Sequence, residues 1–176
     1  SYFQRVLNAD SESDNWLLHG RTYDESRFSP LKDINDSNVQ DLGLAWSFET
    51  GTNRGHETTP IVVDGMMFIS APWSVVFALD PKTGEEIWSF DPKSDKAWAR
   101  NACCDVVNRG VAVWEDQVIF ATIDGRLISL NKNSGKVNWD VLTIDKSKPY
   151  TITGAPRIID GKIIIGNGGG EYGVRG

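Results

Sequence analysis

Two adjacent cysteines, Cys103 and Cys104, are the residues of this chain with the most distinctive chemistry. No other cysteine occurs in the 176 residues, so within the chain these thiols can pair only with each other. A trans peptide holds neighbouring Cα atoms about 3.8 Å apart, whereas ordinary disulfides span about 4.4–6.8 Å. A bond between them would close a small strained ring, of the kind retained where function requires it. From these two residues alone, a strained ring and two separate thiols are both possible.

Other side chains with ligand-binding chemistry lie in four short segments. These candidates are Glu57 in RGHETTP, Arg109 in NACCDVVNRG, Thr153 in TITGAP, and Gly169, Gly170 and Glu171 in GNGGGEYGVRG. An arginine offers donors in a fixed fork that matches carboxylates, and a glutamate is a suitable hard ligand for calcium. Glycines let a bulky ligand approach the backbone closely. Taken singly, Arg109 and Glu57 could equally be exposed loop charges, and Thr153 a strand residue favoured for its β-branching.

Two better-known motifs are incomplete in this chain. His56-Glu57 begins like the zinc-protease pattern HExxH, but Pro60 stands where the second histidine is required and is unsuited to a helix interior. The segment Gly168–Gly173 formally contains GxGxxG, but a dinucleotide-binding fold needs a helix to begin there, and the preceding pattern is that of a hairpin. We therefore reject both interpretations and regard His56 as structural.

Internal repeats indicate which elements position these residues. Ala78–Trp88 recurs as Ser129–Trp139, with the Gly and the Trp each displaced by 51 positions, and Leu42–Phe48 resembles the second half of the unit. A hairpin pattern with a two-residue, Asp-Gly-type turn precedes each repeat and returns at Arg157–Ile165. The strands expected after the first two hairpins are Val75–Leu79, Glu86–Phe90, Leu127–Leu130 and Val137–Val141.

Four antiparallel strands repeated about every 45 to 51 residues are typical of the blades of a β-propeller. The sequence therefore predicts an all-β propeller, with a β-sandwich as the alternative. We expect a leader loop and a short helix within 1–45, and blade-like repeats at about 46–100, 101–145 and 146–176, the last incomplete. The helix is expected near Asp36–Leu42. Since propellers close with about four to eight blades, residues 1–176 are expected to be part of a longer propeller domain.

The composition argues against several classes of function. The 18 basic and 24 acidic residues give a net charge of −6 without any basic run, which argues against nucleic acid and anionic membranes as partners. The apolar runs, of five to six residues, are far too short to span a membrane. The chain opens without a signal peptide, so it is expected to be either cytosolic or a processed secreted protein. An oxidised Cys103-Cys104 pair would favour the second option.

Taken together, these motifs resemble the alcohol dehydrogenases that depend on pyrroloquinoline quinone (PQQ). The resemblance rests on NACCDVVNRG, TITGAP, GNGGGEYGVRG and the repeated pattern ALDxxTGxxxW. Within that family, GRTYDESRFSPL and TNRGHETTP are most similar to the periplasmic quinohaemoprotein branch. The resemblance to the PQQ-dependent family extends over nearly the whole chain from Asn15 onward. It implies an eight-bladed propeller, of which this chain contains only the first, N-terminal blades.

The resemblance also implies how the cofactor is held. PQQ is a planar tricyclic ortho-quinone with three carboxylates. Cys103 and Cys104 would form a vicinal disulfide whose ring lies against one face of the quinone. Arg109 would donate to the cofactor, Glu57 would be a hydrogen-bonding partner, and the Thr153 hydroxyl would contact a carboxylate.

A second set of implied roles concerns the glycine-rich segment and the metal. Backbone groups at Gly169 and Gly170 would meet the cofactor, and Glu171 would ligate a calcium ion. Relatives often carry Ala in place of Gly170, a difference expected to loosen the loop without removing a contact. The other calcium ligands, an Asn and an Asp, lie in later blades, as do the Asp that serves as catalytic base and the Trp on the opposite quinone face. We therefore assign no catalytic residue in this chain.

The implied activity is the oxidation of primary or secondary alcohols to aldehydes or ketones. Calcium would polarise the quinone carbonyl, the Asp base would take the hydroxyl proton, and hydride would pass to the cofactor. Electrons would leave to a c-type haem or to a soluble carrier such as cytochrome c or a cupredoxin-type protein, which suits a periplasmic location. The chain lacks the haem-attachment motif CxxCH, so any haem c domain is expected after Gly176.

A non-enzymatic propeller that serves as an assembly scaffold is the alternative function. The repeats fit it equally well, because scaffolds of this kind carry the same pattern. The Cys103-Cys104 pair, Arg109 and Glu171 favour the enzyme, since a scaffold has no need of a vicinal disulfide above a glycine-lined acidic site.

Overall fold

The computed structural model describes residues 1–175, and its regular structure is mainly antiparallel β-sheet. The strands form two four-stranded sheets and one two-stranded sheet, with neighbours in sequence paired in space. The first sheet contains β1 (Ile61–Val63), β2 (Met66–Ala71), β3 (Val75–Leu79) and β4 (Glu86–Phe90). The second contains β5 (Ala112–Trp114), β6 (Gln117–Ala121), β7 (Arg126–Asn131) and β8 (Val137–Leu142). The third contains β9 (Arg157–Ile159) and β10 (Lys162–Ile164).

The two four-stranded sheets are copies of one unit. Each strand of the second sheet begins 51 residues after its counterpart in the first, as from β1 at Ile61 to β5 at Ala112. The pairing of the third and fourth strands is interrupted by a shift in register at the same place, before Leu79 in one sheet and before Leu130 in the other. The sheets are thus successive blades, which confirms the predicted all-β propeller architecture.

The Gly and the Trp of the repeat pack each unit against the next one. The Trp46 ring lies over Gly84, and the Trp88 ring lies over Gly135, where a Cβ atom would come within 2.8 Å of the ring. The Trp88 Nε1 also donates to the Lys132 carbonyl oxygen at 2.9 Å. Both glycines have positive φ values, +74° and +68°, which L side chains rarely adopt. One repeated motif therefore sets both the turn and the contact between units.

The main hydrophobic core is shared by the two four-stranded sheets and a helix, α1 (Tyr2–Leu7). The sequence indicated only a leader loop at this position. Tyr2 and Val6 face the core, and the Tyr2 hydroxyl donates to the Leu17 carbonyl oxygen at 3.4 Å. The two sheets and the residue before β5 complete this core with buried aliphatic and phenylalanine side chains. These are Ile61, Val63, Phe68, Val76, Ala78, Val111, Val113, Val118, Phe120, Ile128 and Leu130.

Two details of the segment before β1 differ from the sequence-based expectation. The helix expected near Asp36–Leu42 is a single 3-10 turn, Val39–Asp41. Its surroundings are largely exposed, and the Asn38 Oδ1 accepts from the Asn35 N–H at 2.8 Å, so side chains rather than a buried apolar face hold the turn. The stretch Leu42–Phe48, which resembles the second half of the repeat and was therefore expected to follow its course, pairs with no strand among residues 1–175. In the same range, no helix is long and apolar enough to cross a membrane.

Candidate functional site

The segments that lead into the three sheets lie side by side. The Thr59 N–H donates to the Arg109 carbonyl oxygen at 3.2 Å, and the Arg109 N–H donates to the Thr153 carbonyl oxygen at 2.9 Å. Thr59 also forms a parallel bridge with Gly110. The three units therefore present residues 57, 109 and 153 next to one another, although these are about 50 residues apart in sequence.

The Arg109 side chain links the other two predicted contacts. Its Nη1 donates to the Thr153 Oγ1 at 2.6 Å, and its Nη2 lies 2.9 Å from the Glu57 Oε2. The Arg109 and Glu57 side chains are both a little under half exposed. Because the Thr153 hydroxyl accepts from Arg109, its own hydrogen can be donated to a ligand. Glu57 neutralises and orients the guanidinium without burying it.

Cys103 and Cys104 are joined by a disulfide bond across one peptide unit, and both residues are exposed. The predicted vicinal disulfide is therefore present. The pair follows a 3-10 helix, Lys96–Asn101, whose first turn is capped by the Asp95 carboxylate. The next residue, Asp105, has a φ of +73° and leads directly into buried chain. The disulfide thus forms a projecting, exposed surface between two fixed segments.

Asn108 anchors the segment between the disulfide and Arg109. Its side chain is almost fully buried; its Nδ2 donates to the Ala121 carbonyl oxygen at 2.9 Å and to the Ser74 Oγ at 3.3 Å. Its Oδ1 accepts from the Gly110 N–H at 3.0 Å. Sequence reasoning missed this residue; the signal was a polar side chain placed directly after the apolar pair Val106-Val107. Asn108 holds the disulfide and the guanidinium in a fixed relation to the second blade.

Glu171 is brought to the same place by a contact between separate segments. Thr151 and Gly168 form an antiparallel bridge, with the Gly168 N–H donating to the Thr151 carbonyl oxygen at 2.6 Å. The chain then enters a 3-10 turn, Gly170–Tyr172, which carries Glu171. The bridge therefore places an exposed carboxylate beside the segment that contains Thr153.

Five of the eight sequence-predicted site residues line one cavity of about 70 Å³. These five are Cys103, Cys104, Arg109, Thr153 and Glu171. A wider depression of about 510 Å³ shares Arg109, Thr153 and Gly168 with this cavity and extends along Arg157 and Asn167. Typical ligand pockets have volumes of about 300–1,000 Å³. The smaller cavity alone is below this range, whereas the volume of the wider depression falls within it.

Three predicted residues, Glu57, Gly169 and Gly170, are not among the described residues that line the small cavity. Glu57 reaches the site through its pair with Arg109, whereas the two glycines precede Glu171. At Gly169 the need for glycine comes from the chain itself: φ is +127°, and a Cβ atom would collide with the Val174 side chain. At Gly170 a Cβ atom would meet open space. The structure thus gives a local reason for the first glycine, and their contacts with a cofactor stay predictions.

Glu171 does not belong to a cluster of three or more metal-binding side chains in the described part of the chain. No cluster of three or more His, Cys, Asp or Glu side chains suited to a metal ion occurs within residues 1–175. Calcium takes six to eight oxygen ligands. Glu171 can therefore supply one ligand but not a complete calcium site.

The repeated four-stranded sheets define this chain as part of a β-propeller. The polar residues at the points where the sheets begin form its candidate ligand site. A family profile described as "PQQ: Glucose/ethanol/alcohol dehydrogenase, beta-propeller domain" matches residues 16–172. The chain therefore belongs to the PQQ-dependent alcohol dehydrogenase family, as the sequence motifs predicted.

Individual relatives agree with this assignment. The chain is 55% identical to quinohemoprotein alcohol dehydrogenase ADH-IIG of Pseudomonas putida over 98% of its own length, and 24% of that relative is covered. It is 53% identical to 1-butanol dehydrogenase (cytochrome c) of Thauera butanivorans, covering 92% of this chain and 23% of that one. The solved structure of ADHIIG from Pseudomonas putida HK5 superposes with a TM-score of 0.96 at 54% identity, over 98% of this chain and 25% of that chain. The chain thus spans about a quarter of the length of these relatives.

Proposed function

We propose that the whole protein oxidises primary or secondary alcohols to aldehydes or ketones with PQQ as its cofactor. The observation that carries this proposal is the convergence of the Cys103-Cys104 disulfide, Arg109, Thr153 and Glu171 around one cavity. The relatives named above are alcohol dehydrogenases, and the 1-butanol dehydrogenase among them supports a small primary alcohol as substrate.

The donor set fits a flat, multiply negative cofactor. Arg109 places one guanidinium nitrogen against Glu57 and another against Thr153, and nearly half of its side chain stays accessible to a ligand. A charge-assisted hydrogen bond from Arg109 and a hydroxyl donor from Thr153 both match a carboxylate or a quinone oxygen. The exposed disulfide offers a polarizable, apolar surface against which a planar ring can pack. When bound, PQQ supplies a quinone that accepts the two electrons removed from the alcohol.

Each residue of the chain then has a distinct task. Arg109 and Thr153 bind and orient the cofactor, Glu57 holds the guanidinium in place, and the two cysteines exclude water from one face. Glu171 contributes one oxygen to a calcium site whose other ligands lie outside residues 1–176. We assign no proton-transferring role to any of these residues, since the catalytic base is also expected outside this segment.

We further propose a periplasmic location and electron transfer to a c-type haem or a soluble carrier. The vicinal disulfide supports an oxidising compartment, because disulfides persist there and are rare in the cytosol. The acceptor is supported by the names of the relatives, a quinohemoprotein and a dehydrogenase designated "(cytochrome c)".

Reconstitution of the whole protein tests this proposal. Cofactor and metal are removed, and PQQ and calcium are then added back separately and together. The rate at which ethanol or 1-butanol reduces an artificial electron-accepting dye is measured, with glucose as the control substrate. We expect dye reduction by the alcohols only when both components are present. Absence of any PQQ-dependent oxidation would contradict the proposal and favour the scaffold alternative.

A further inference from the structure

Two oppositely charged residues from different loops meet beside the disulfide. Arg54 lies three residues before Glu57, and its guanidinium pairs with the carboxylate of Asp105, the residue after Cys104. Asp105 has a φ of +73°, uncommon for a residue other than glycine, and its Oδ1 also accepts from the Val106 N–H at 2.8 Å. Asp105 is therefore the point at which the chain turns from the exposed disulfide into the buried core.

Trp73 closes a cycle of contacts around this pair. Its backbone N–H donates to the Val106 carbonyl oxygen at 2.9 Å, and its ring centre lies 5.7 Å from the Arg54 guanidinium carbon. The Lys96 Nζ lies 3.8 Å from the same ring centre. Both distances lie within the range of cation–π contacts. The cycle runs from Arg54 through Asp105, Val106 and Trp73 back to Arg54, and it joins the loop of Glu57 to the loop of the disulfide.

The contribution of this cycle is local. The Arg54 and Asp105 side chains are 50% and 36% exposed, and ion pairs with such exposure add little to the stability of a whole domain. Downstream of the pair, Val106 and Val107 are almost fully buried, so the core already fixes that side. The part of the chain that the Arg54–Asp105 pair can still orient is the exposed disulfide immediately before Asp105.

We propose that Arg54 is a positioning residue that acts through Asp105 to set the orientation of the Cys103-Cys104 disulfide against the cofactor. The expected effect on cofactor binding rests on the proposed function. The expected effect on the orientation of the disulfide does not depend on it. Arg54 itself is not assigned any contact with PQQ.

The first readout is the rate of disulfide reduction in the whole, cofactor-free protein. Wild type and the variants Arg54→Ala and Arg54→Lys are treated with dithiothreitol, and the new thiols are trapped with iodoacetamide and counted by mass spectrometry. We expect Arg54→Ala to be reduced about two- to fivefold faster, the change expected for loss of an exposed ion pair. Arg54→Lys keeps the charge and should remain closer to wild type.

Arg5→Ala is the matched control for this experiment. Arg5 also pairs with an aspartate, Asp64, but at helix α1, and it pairs with Glu12 as well. Its loss should lower the melting temperature at least as much as Arg54→Ala and leave the reduction rate unchanged. An equal acceleration in both variants would overturn the proposal, because it would indicate general loosening.

The second readout is the dissociation constant for PQQ in a double-mutant cycle with Asp105→Asn. Asparagine tolerates the positive φ and can still accept from the Val106 N–H, so this change removes mainly the charge. We expect each single variant to bind PQQ about two- to fivefold more weakly than wild type, and the double variant to bind no more weakly than either. If Arg54→Ala weakens PQQ binding even in the Asp105→Asn background, the proposal is overturned, since Arg54 would then act on the ligand directly.

The two readouts separate this inference from the proposed function. If wild type fails to bind PQQ, the proposed function fails, and the reduction rates alone support or overturn the positioning of the disulfide by Arg54. If wild type binds PQQ while Arg54→Ala matches it in both reduction rate and affinity, the proposed function stands and Arg54 has no positioning role.

Discussion

Arg109 is the residue on which the proposed cofactor site depends most. Its backbone joins the segments before the first and third sheets, and its side chain contacts both Glu57 and Thr153. The motif NACCDVVNRG predicted a donor at this position. The pairing with Glu57 could not be predicted in the same way, because the two residues lie 52 positions apart and meet only when two blades pack together.

Replacing Arg109 with Ala should weaken PQQ binding by the whole protein about 10- to 100-fold, the range expected for loss of a charged hydrogen bond. Equilibrium titration measures this, with quenching of tryptophan fluorescence as the signal. The matched variant Glu57→Gln keeps a hydrogen-bonding group and should show a smaller loss. An Arg109→Ala affinity equal to that of wild type would remove this residue from the site.

Glu171 is predicted to bind calcium as one of several ligands. Glu171→Gln should therefore raise the calcium concentration needed for half-maximal activation of the whole protein, since a neutral amide is a weaker ligand than a carboxylate. Activity is measured across a calcium titration at saturating PQQ and alcohol. The exposed Glu115, in the turn between β5 and β6, provides a control as Glu115→Gln. Identical calcium curves for wild type and Glu171→Gln would contradict the assignment.

At the scale of the elements, the packing of a Trp on a Gly sets the spacing of the units. Gly135→Ala should destabilise the whole protein by about 1–2 kcal/mol from the left-handed backbone alone, with more from contact with the Trp88 ring. Thermal or denaturant unfolding measures the decrease in the free energy of unfolding. Gly43→Ala is the control, because a Cβ atom there meets open space and φ is not positive. Equal stability of the two variants would contradict the packing role of Gly135.

A network of charges ties helix α1 to the turns of both blades. Arg5 pairs with Glu12 and Asp64, and Lys132 pairs with the same Asp64. Hydrogen bonding to Arg5, followed by Lys132, lowers the pKa of the Asp64 carboxyl from 3.8 to about 2 despite some burial. Because the pKa is lower in the folded state, the stabilisation is complete above about pH 5 and is lost as the pH falls toward 2.

Arg5→Ala should therefore lower the melting temperature most at neutral pH. The difference from wild type should shrink as the pH falls from about 5 to 2, since protonated Asp64 no longer gains from the guanidinium. Scanning calorimetry over this pH range measures the difference in melting temperature. Lys148→Ala, which removes an exposed pair with Asp145, should give a small difference. A difference for Arg5→Ala that stays constant or grows on acidification would contradict the role of Asp64.

These elements also show what could be predicted from the sequence. Strands β3 and β4 were predicted at their observed bounds, because the repeated segment Ala78–Trp88 and the turn at its Gly84 are local signals. Helix α1 was missed, since only six residues form it and its burial against the two blades stabilises it. Asn108 directly follows an apolar pair, which is a local signal, but its hydrogen bonds to Ser74 and Ala121 join distant segments and could not be predicted from its neighbours.

At the scale of the whole molecule, this chain provides one wall of the proposed site. It spans about a quarter of the length of its relatives, and its disulfide, guanidinium, hydroxyl and carboxylate lie together around one cavity. The remaining calcium ligands, the catalytic base and the opposite face of the cofactor are expected from other segments. We therefore predict that these four groups meet PQQ and its calcium ion from this side.

The structure of the whole protein crystallised with PQQ and calcium tests this claim most directly. We predict electron density for the cofactor packed on both sulfur atoms of Cys103 and Cys104, within hydrogen-bonding distance of Arg109 and Thr153, and a calcium ion bound by Glu171. Cofactor density at another place, or PQQ turned away from the disulfide with Arg109 still paired only to Glu57 and Thr153, would contradict the account.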